Sequence, residues 1–185
     1  MAIRTPPLYL QAGSHSAEND RLGIRGMVGT EGVGAGTAEL QVTQSGTPGM
    51  SVSVAAGWVW VLGTTSATQG MYSSYNDAAT TLTITTANAT LARIDKVCFT
   101  VRDAAYAGAS NDCILQVVAG TAAASPVAPA TPASSLVLAT VAVAAGATSI
   151  VNANITDART RAALALSAGS TGGTSVADIL MLGGM

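Results

Sequence analysis

Charge is the scarcest property of this chain. Only 10% of its 185 residues are Asp, Glu, Lys or Arg, against about 25% in an ordinary globular domain. Lysine occurs once, at Lys96, and the arginines form no run, so the cationic footprint that nucleic-acid binding needs is missing. Aromatic residues make up 4%, which leaves the core to Val, Leu, Ile and Ala. The single histidine, His15, stands at the start of an expected helix, and no His/Cys spacing suits a metal. Serines are plentiful, but no Gly-x-Ser-x-Gly elbow accompanies them. No stretch approaches the ~20 consecutive apolar residues of a spanning helix. The opening Met-Ala-Ile-Arg-Thr-Pro-Pro-Leu lacks a signal-peptide apolar region. These absences set the expectations: no catalytic residues, no cofactor or metal, no nucleic acid and no membrane insertion.

What is present points to strands. The hydrophobic fraction is 49%, and a surface so poor in charge is weakly solvated and tends to associate. Partner subunits are therefore expected to cover much of it. Between Leu91 and Val118, Val97, Phe99 and Val101 alternate with Cys98 and Thr100, the period of a strand with one face buried. A polar loop around Gly108 follows, and Ile114 to Val118 returns. The pair reads as a hairpin central in a sheet. Symmetry about Ala107 sets Cys98 opposite Gln116, so Cys98 and Cys113 are expected to be buried, unpaired thiols.

In chain order, residues 1–13 with Pro6-Pro7 read as an extended arm. Residues 14–27 read as a short helix capped by Ser14 or Ser16, with Glu18 and Asp20 early and Arg21 and Arg25 late. Gly29 to Gly36 reads as a flexible connection, since no Lys-Ser/Thr pair makes it a phosphate loop. Alternating strands are expected at Glu39–Gln44, Met50–Ala55, Trp58–Leu62 and Thr81–Thr85. The segment holding Pro126, Pro129 and Pro132 reads as an extended surface connection. Ser135–Val143 is an expected strand with Thr148–Val151 pairing back, and Thr156–Arg161 an expected short helix capped by Thr156. The spacing predicts an all-β fold, an antiparallel β-sandwich of jelly-roll type with an N-terminal arm and one short helix. Its expected divisions are arm, helix and Gly-rich connection (1–36), sandwich (37–165) and Gly/Ser/Thr-rich tail with an apolar end (166–185).

Trp58 and Trp60, two apart in one strand, share a face, with Tyr72 and Tyr75 close behind. Exposed, these rings suit stacking on host glycan or a subunit contact; buried, they are the largest core residues at hand, and with so few other large side chains the core reading is preferred. Tyr106 in the hairpin loop is a further candidate contact. Asp77, Asp95, Asp103 and Asp112 are the carboxylates a polysaccharide-degrading enzyme would need to pair, but no spacing rule brings two together.

Four stretches carry a resemblance: Ser14-His-Ser-Ala-Glu-Asn-Asp-Arg21; Met50-Ser-Val-Ser-Val-Ala-Ala-Gly57; Arg93-Ile-Asp95 with Asp103-Ala-Ala-Tyr-Ala-Gly108; and the run from Val118 through the prolines to Ala144-Ala-Gly-Ala-Thr-Ser-Ile150 and Asn154-Ile-Thr-Asp157. In this order, across roughly residues 8–161, the chain resembles minor tail or tail-tip proteins of long-tailed bacteriophages infecting actinobacteria. The resemblance implies a β-rich, non-enzymatic virion component, commonly a homotrimer. Such a protein is assembled in the host cytoplasm beside other virion proteins, and it takes part in host attachment or carries the module that does. Lys96 stands where an apolar residue is expected, which makes that face a candidate subunit contact, as are the apolar Ile179, Leu180 and Leu182. The sequence reaches Met185 without a long fibre or receptor-binding extension, so a head fibre or capsid decoration protein, or a carbohydrate-binding module for the host envelope, are the alternatives.

Overall fold

A computed structural model describes residues 14–165. Helix α1 (Ala17–Met27) begins where Ser16 accepts the Asn19 amide at 3.3 Å, with Glu18 and Asp20 in its first turn and Arg25 in its last, each matched to the helix dipole. Twelve strands follow: β1 (Val28–Thr30), β2 (Gly32–Val33), β3 (Val42–Gln44), β4 (Ser51–Val54), β5 (Gly57–Leu62), β6 (Met71–Asn76), β7 (Thr80–Thr83), β8 (Arg93–Asp103), β9 (Asn111–Val118), β10 (Ser135–Val143), β11 (Ile155–Asp157) and β12 (Ala163–Leu164). They form antiparallel sheets ordered β11-β10-β8-β9, β2-β5-β6, β3-β4-β7 and β1-β12. The fold is all-β with one short helix; the jelly-roll wiring remains an expectation.

One apolar core joins the sheets. Val33, Val42, Val52, Val54, Val59 and Val61 pack from one side against Val97, Phe99, Leu136, Leu138, Ala139, Val141 and Val143 from the other. Between Val137 and Ala139 the β10 register shifts against β8. This irregularity lets the adjacent Leu138 and Ala139 both be fully buried, since an extra residue turns the side-chain alternation over.

The hairpin β8–β9 has the expected register, Cys98 opposite Gln116. Its place in the sheet differs: β8 is central, but β9 pairs only with β8 and lies at the edge. The thiols also part company. Both are unpaired, but Cys98 is buried and Cys113 exposed, because β9 has no outer neighbour to cover it. Burial pushes the Cys98 thiol up to about 11.

Three local expectations are corrected. Residues 29–36 are not a loose connection: Val33 is fully buried, its amide bonds to Thr160 O at 2.9 Å, and its carbonyl accepts from Ala162 at 3.0 Å. Gly32 lies so close to residues 160–162 that a Cβ there would strike backbone, so this glycine serves close approach rather than flexibility. Thr156–Arg161 does not start a helix. β11 occupies 155–157, pairing Thr156 with Thr140, and Asp157 then accepts the Arg159 amide at 3.1 Å in a tight turn, an aspartate habit that competes with helix. Thr148–Val151 consequently does not return onto β10; Ile150 enters the core, its amide held by Gly49 O at 3.0 Å.

One end of the core is closed by a buried ion pair. Arg93 Nε donates to Asp95 Oδ1 at 2.9 Å, and its other nitrogens reach Thr86 O at 2.9 Å, Thr85 O at 2.5 Å and Thr85 Oγ1 at 2.8 Å. Asp95 Oδ1 also accepts the Gly120 amide at 2.9 Å. The Pro-rich connection thus starts pinned to β8, with no room for a side chain at Gly120 against the Ile94 carbonyl.

Candidate functional site

Strand β5 decides where the rings go. Val59 and Val61 are fully buried in the core, so alternation sends Trp58 and Trp60 to the opposite face. The partner strand adds Tyr75 opposite Trp58 and Ser73 opposite Trp60. Trp58 is 49% exposed and Tyr75 50%, which overturns the preference for a core role; the valines already fill the inner face. The Trp58 and Tyr75 centroids lie 4.9 Å apart, and those of Trp58 and Trp60 lie 6.4 Å apart. Trp60 also borders a cavity of about 180 Å³ with Val28, Gly34, Ala35 and Ala162 to Leu164.

Tyr72 does not join this face. It pairs with Val61 across β5–β6 and so points the other way. Its hydroxyl donates to Asp103 Oδ2 at 2.8 Å and accepts from Gln69 Nε2 at 3.0 Å. Over it sits Arg21, with Nε on Gln69 O at 2.7 Å, Nη2 on the Tyr106 hydroxyl at 2.9 Å and Nη1 3.7 Å from Asp103 Oδ2. The guanidinium carbon is 4.9 Å from the Tyr72 centroid and 5.4 Å from that of Tyr106, within cation–π range of both. Tyr72 and Tyr106 are therefore partners within the chain, holding α1 down. No residue of α1 is fully buried, so this clamp, with Arg25 Nη1 on Ala67 O at 3.1 Å, carries much of the docking.

Two measurements check the clamp. Arg21→Ala should cost roughly 1.5–3 kcal/mol, as expected for charged hydrogen bonds, and should abolish amide protection across residues 17–27 in hydrogen exchange while β8 and β10 stay protected. Unchanged protection over α1 would contradict the assignment. The second concerns pH. Burial, reinforced by the bond to Asp103 and partly offset by that from Gln69, raises the Tyr72 phenol from its ordinary 10.0 to about 12. Between these values the unfolded chain releases the proton and the folded chain keeps it, so stability is intact below the lower value and falls as pH rises through the window. Denaturation midpoints should fall less steeply there in Tyr72→Phe than in the wild type; parallel slopes would contradict the shift.

The remaining candidates are scattered. Lys96 Nζ donates to Thr131 Oγ1 at 2.9 Å, tying β8 to the Pro-rich connection. Asp103 and Asp112 do line one cleft of about 340 Å³, with Tyr72, Ser74 and Cys113. Asp112 is bound by Arg102 through bonds of 2.6 and 2.5 Å, and these hold its carboxyl below the usual range. Asp95 is walled into the core with Arg93. Ile179, Leu180 and Leu182 lie outside the described residues. Among the described residues, no group of His, Cys, Asp and Glu could hold a metal ion, and no helix is long and apolar enough to cross a membrane. The Arg21 clamp escaped the sequence reading because its members, 21, 69, 72, 103 and 106, meet only in the fold. The valines alternating with the tryptophans show that the two rings share a face; that this face lies outside the core is set by the fold. No protein-family model, curated protein or solved structure matches the chain.

Proposed function

We propose that this protein is a non-enzymatic structural component of a bacteriophage particle. In this reading it is a minor tail or tail-tip protein that self-associates, as a trimer, and takes part in host attachment or carries the attachment module. The observation that supports it most is where the residues bearing the phage resemblance sit. Arg93 and Asp95 close one end of the core and hold Gly120 at the start of the Pro-rich run. Asp103 accepts the Ala105 amide at 2.9 Å at the hairpin tip. Gly57 lets β5 leave beside Leu40 where a Cβ would meet backbone, and Thr156 and Asp157 form the sheet edge on β10. Residues placed this way specify a scaffold, as a virion part requires.

Gold-labelled antibodies raised against the protein test the reading on purified particles of the phage that encodes it. Label at the tail end is the expected result. Label on the head would instead favour a head fibre or decoration protein, and the absence of the chain from particles would overturn the virion role.

A further inference from the structure

Among the exposed large apolar side chains, three fall on one continuous stripe: Tyr75 (50% exposed) and Trp58 (49%) in contact, and, beyond Trp60, Leu164 (68%). Trp60 links the halves, meeting Trp58 on one side and the Leu164 cavity on the other. Side chains exposed to this degree leave about 100 Å² each, so with the partly covered Trp60 the stripe amounts to roughly 300–400 Å² of apolar surface. That is somewhat under half of the ~800 Å² each partner contributes to a standard interface, an apolar centre for a polar rim to surround.

We propose that this stripe is the surface through which copies of this chain join. The inference rests on the self-associating reading above and adds to it the residues that make the contact. Charge argues for a protein partner of the same kind over a sugar. A sugar site surrounds its rings with polar groups free to meet hydroxyls, and here the charged and amide side chains beside the rings are already engaged. Glu39 Oε2 accepts the Trp58 amide at 2.7 Å, Glu31 Oε2 accepts the Leu62 amide at 2.9 Å, and Arg161 binds the Gly34 carbonyl at 2.7 Å and that of Gly36. Asn76 Nδ2 donates to Ala55 O at 3.0 Å and to Ala78 O at 2.7 Å. What remains on the stripe, apart from the hydroxyls of Ser73 and Tyr75, is aromatic and aliphatic, a surface that matches itself without charge pairing.

Multi-angle light scattering of the wild type, Trp58→Lys, Tyr75→Lys and the control Val127→Lys in the Pro-rich connection tests this. The wild type and the control should be oligomers, and both stripe variants should be folded monomers, with self-association weakened roughly thirtyfold or more. A monomeric wild type would remove the self-associating reading and this inference with it. An oligomeric wild type whose stripe variants also stay oligomeric would leave that reading standing and overturn only the assignment of the stripe. Binding of host cell-wall glycan that Trp58→Lys abolishes while the oligomer persists would overturn it too, by giving the rings to sugar. If a lysine variant unfolds, hydroxyl-radical footprinting of the wild-type oligomer decides: protection of Trp58 and Tyr75 supports the interface, and ready oxidation of both overturns it.

Discussion

Asp95→Ala should cost the fold about 3–5 kcal/mol, the usual penalty for removing one partner of a buried ion pair. The Asp95 side chain is fully buried and that of Arg93 nearly so, at 7% exposure. Without the carboxylate, the guanidinium keeps its bonds to Thr85 and Thr86 but loses the only opposite charge in contact with it among the described residues. The Gly120 amide loses its acceptor in the same step, which frees the start of the Pro-rich connection. A melting temperature lower by about 6–20 °C follows for a chain of this size. Replacing both residues, as Arg93→Met with Asp95→Leu, should restore part of the loss, because it removes the orphaned charge while the Gly120 amide stays without its acceptor. Urea denaturation of the three variants checks this. An Asp95→Ala loss below about 1 kcal/mol would show that the pair is solvated and not part of the closure.

Leu138→Ala comes next, at about 2–5 kcal/mol. Leu138 is fully buried in the shared core beside Ala139, which is also fully buried. Because the register shift in β10 brings both residues inward, the surrounding backbone cannot close over the space a leucine leaves without undoing the shift. A conservative Leu138→Met should cost less than about 1.5 kcal/mol. Equal effects of the two substitutions, or a loss from Leu138→Ala under 1 kcal/mol, would mean the site collapses freely and the core is not packed around this bulge.

How much of this was legible depended on how local the determinant was. The β8–β9 register could be read because the length between Phe99 and Leu115 and a symmetric loop set Cys98 opposite Gln116. The run Ser135–Val143 announced β10 through its continuous apolar residues, though not the shift near Leu138. Strand β6 gave no signal, since Met71-Tyr-Ser-Ser-Tyr-Asn76 has no apolar face of its own and is fixed by pairing with β5. The two-residue strands β2 and β12 are shorter than any periodicity can register. At Thr156, a helix-cap residue type was read by its local preference, and pairing with β10 overrode it.

The site followed the same division. Alternation in Trp58-Val-Trp-Val61 placed both tryptophans on one face, but which face was core depended on Val52, Val97, Leu138 and other residues far along the chain. Tyr72 and Tyr75 looked equivalent by proximity; being three apart in a strand, they point to opposite sides. Only the fold shows that one serves Arg21 and the other the outer stripe.

A density map of the intact particle tests the account most directly. It should show copies of this fold grouped about a three-fold axis at the tail end, with Trp58 and Tyr75 of each copy shut between neighbours. Solitary copies with those two rings facing solvent, or a particle without the fold, would contradict it.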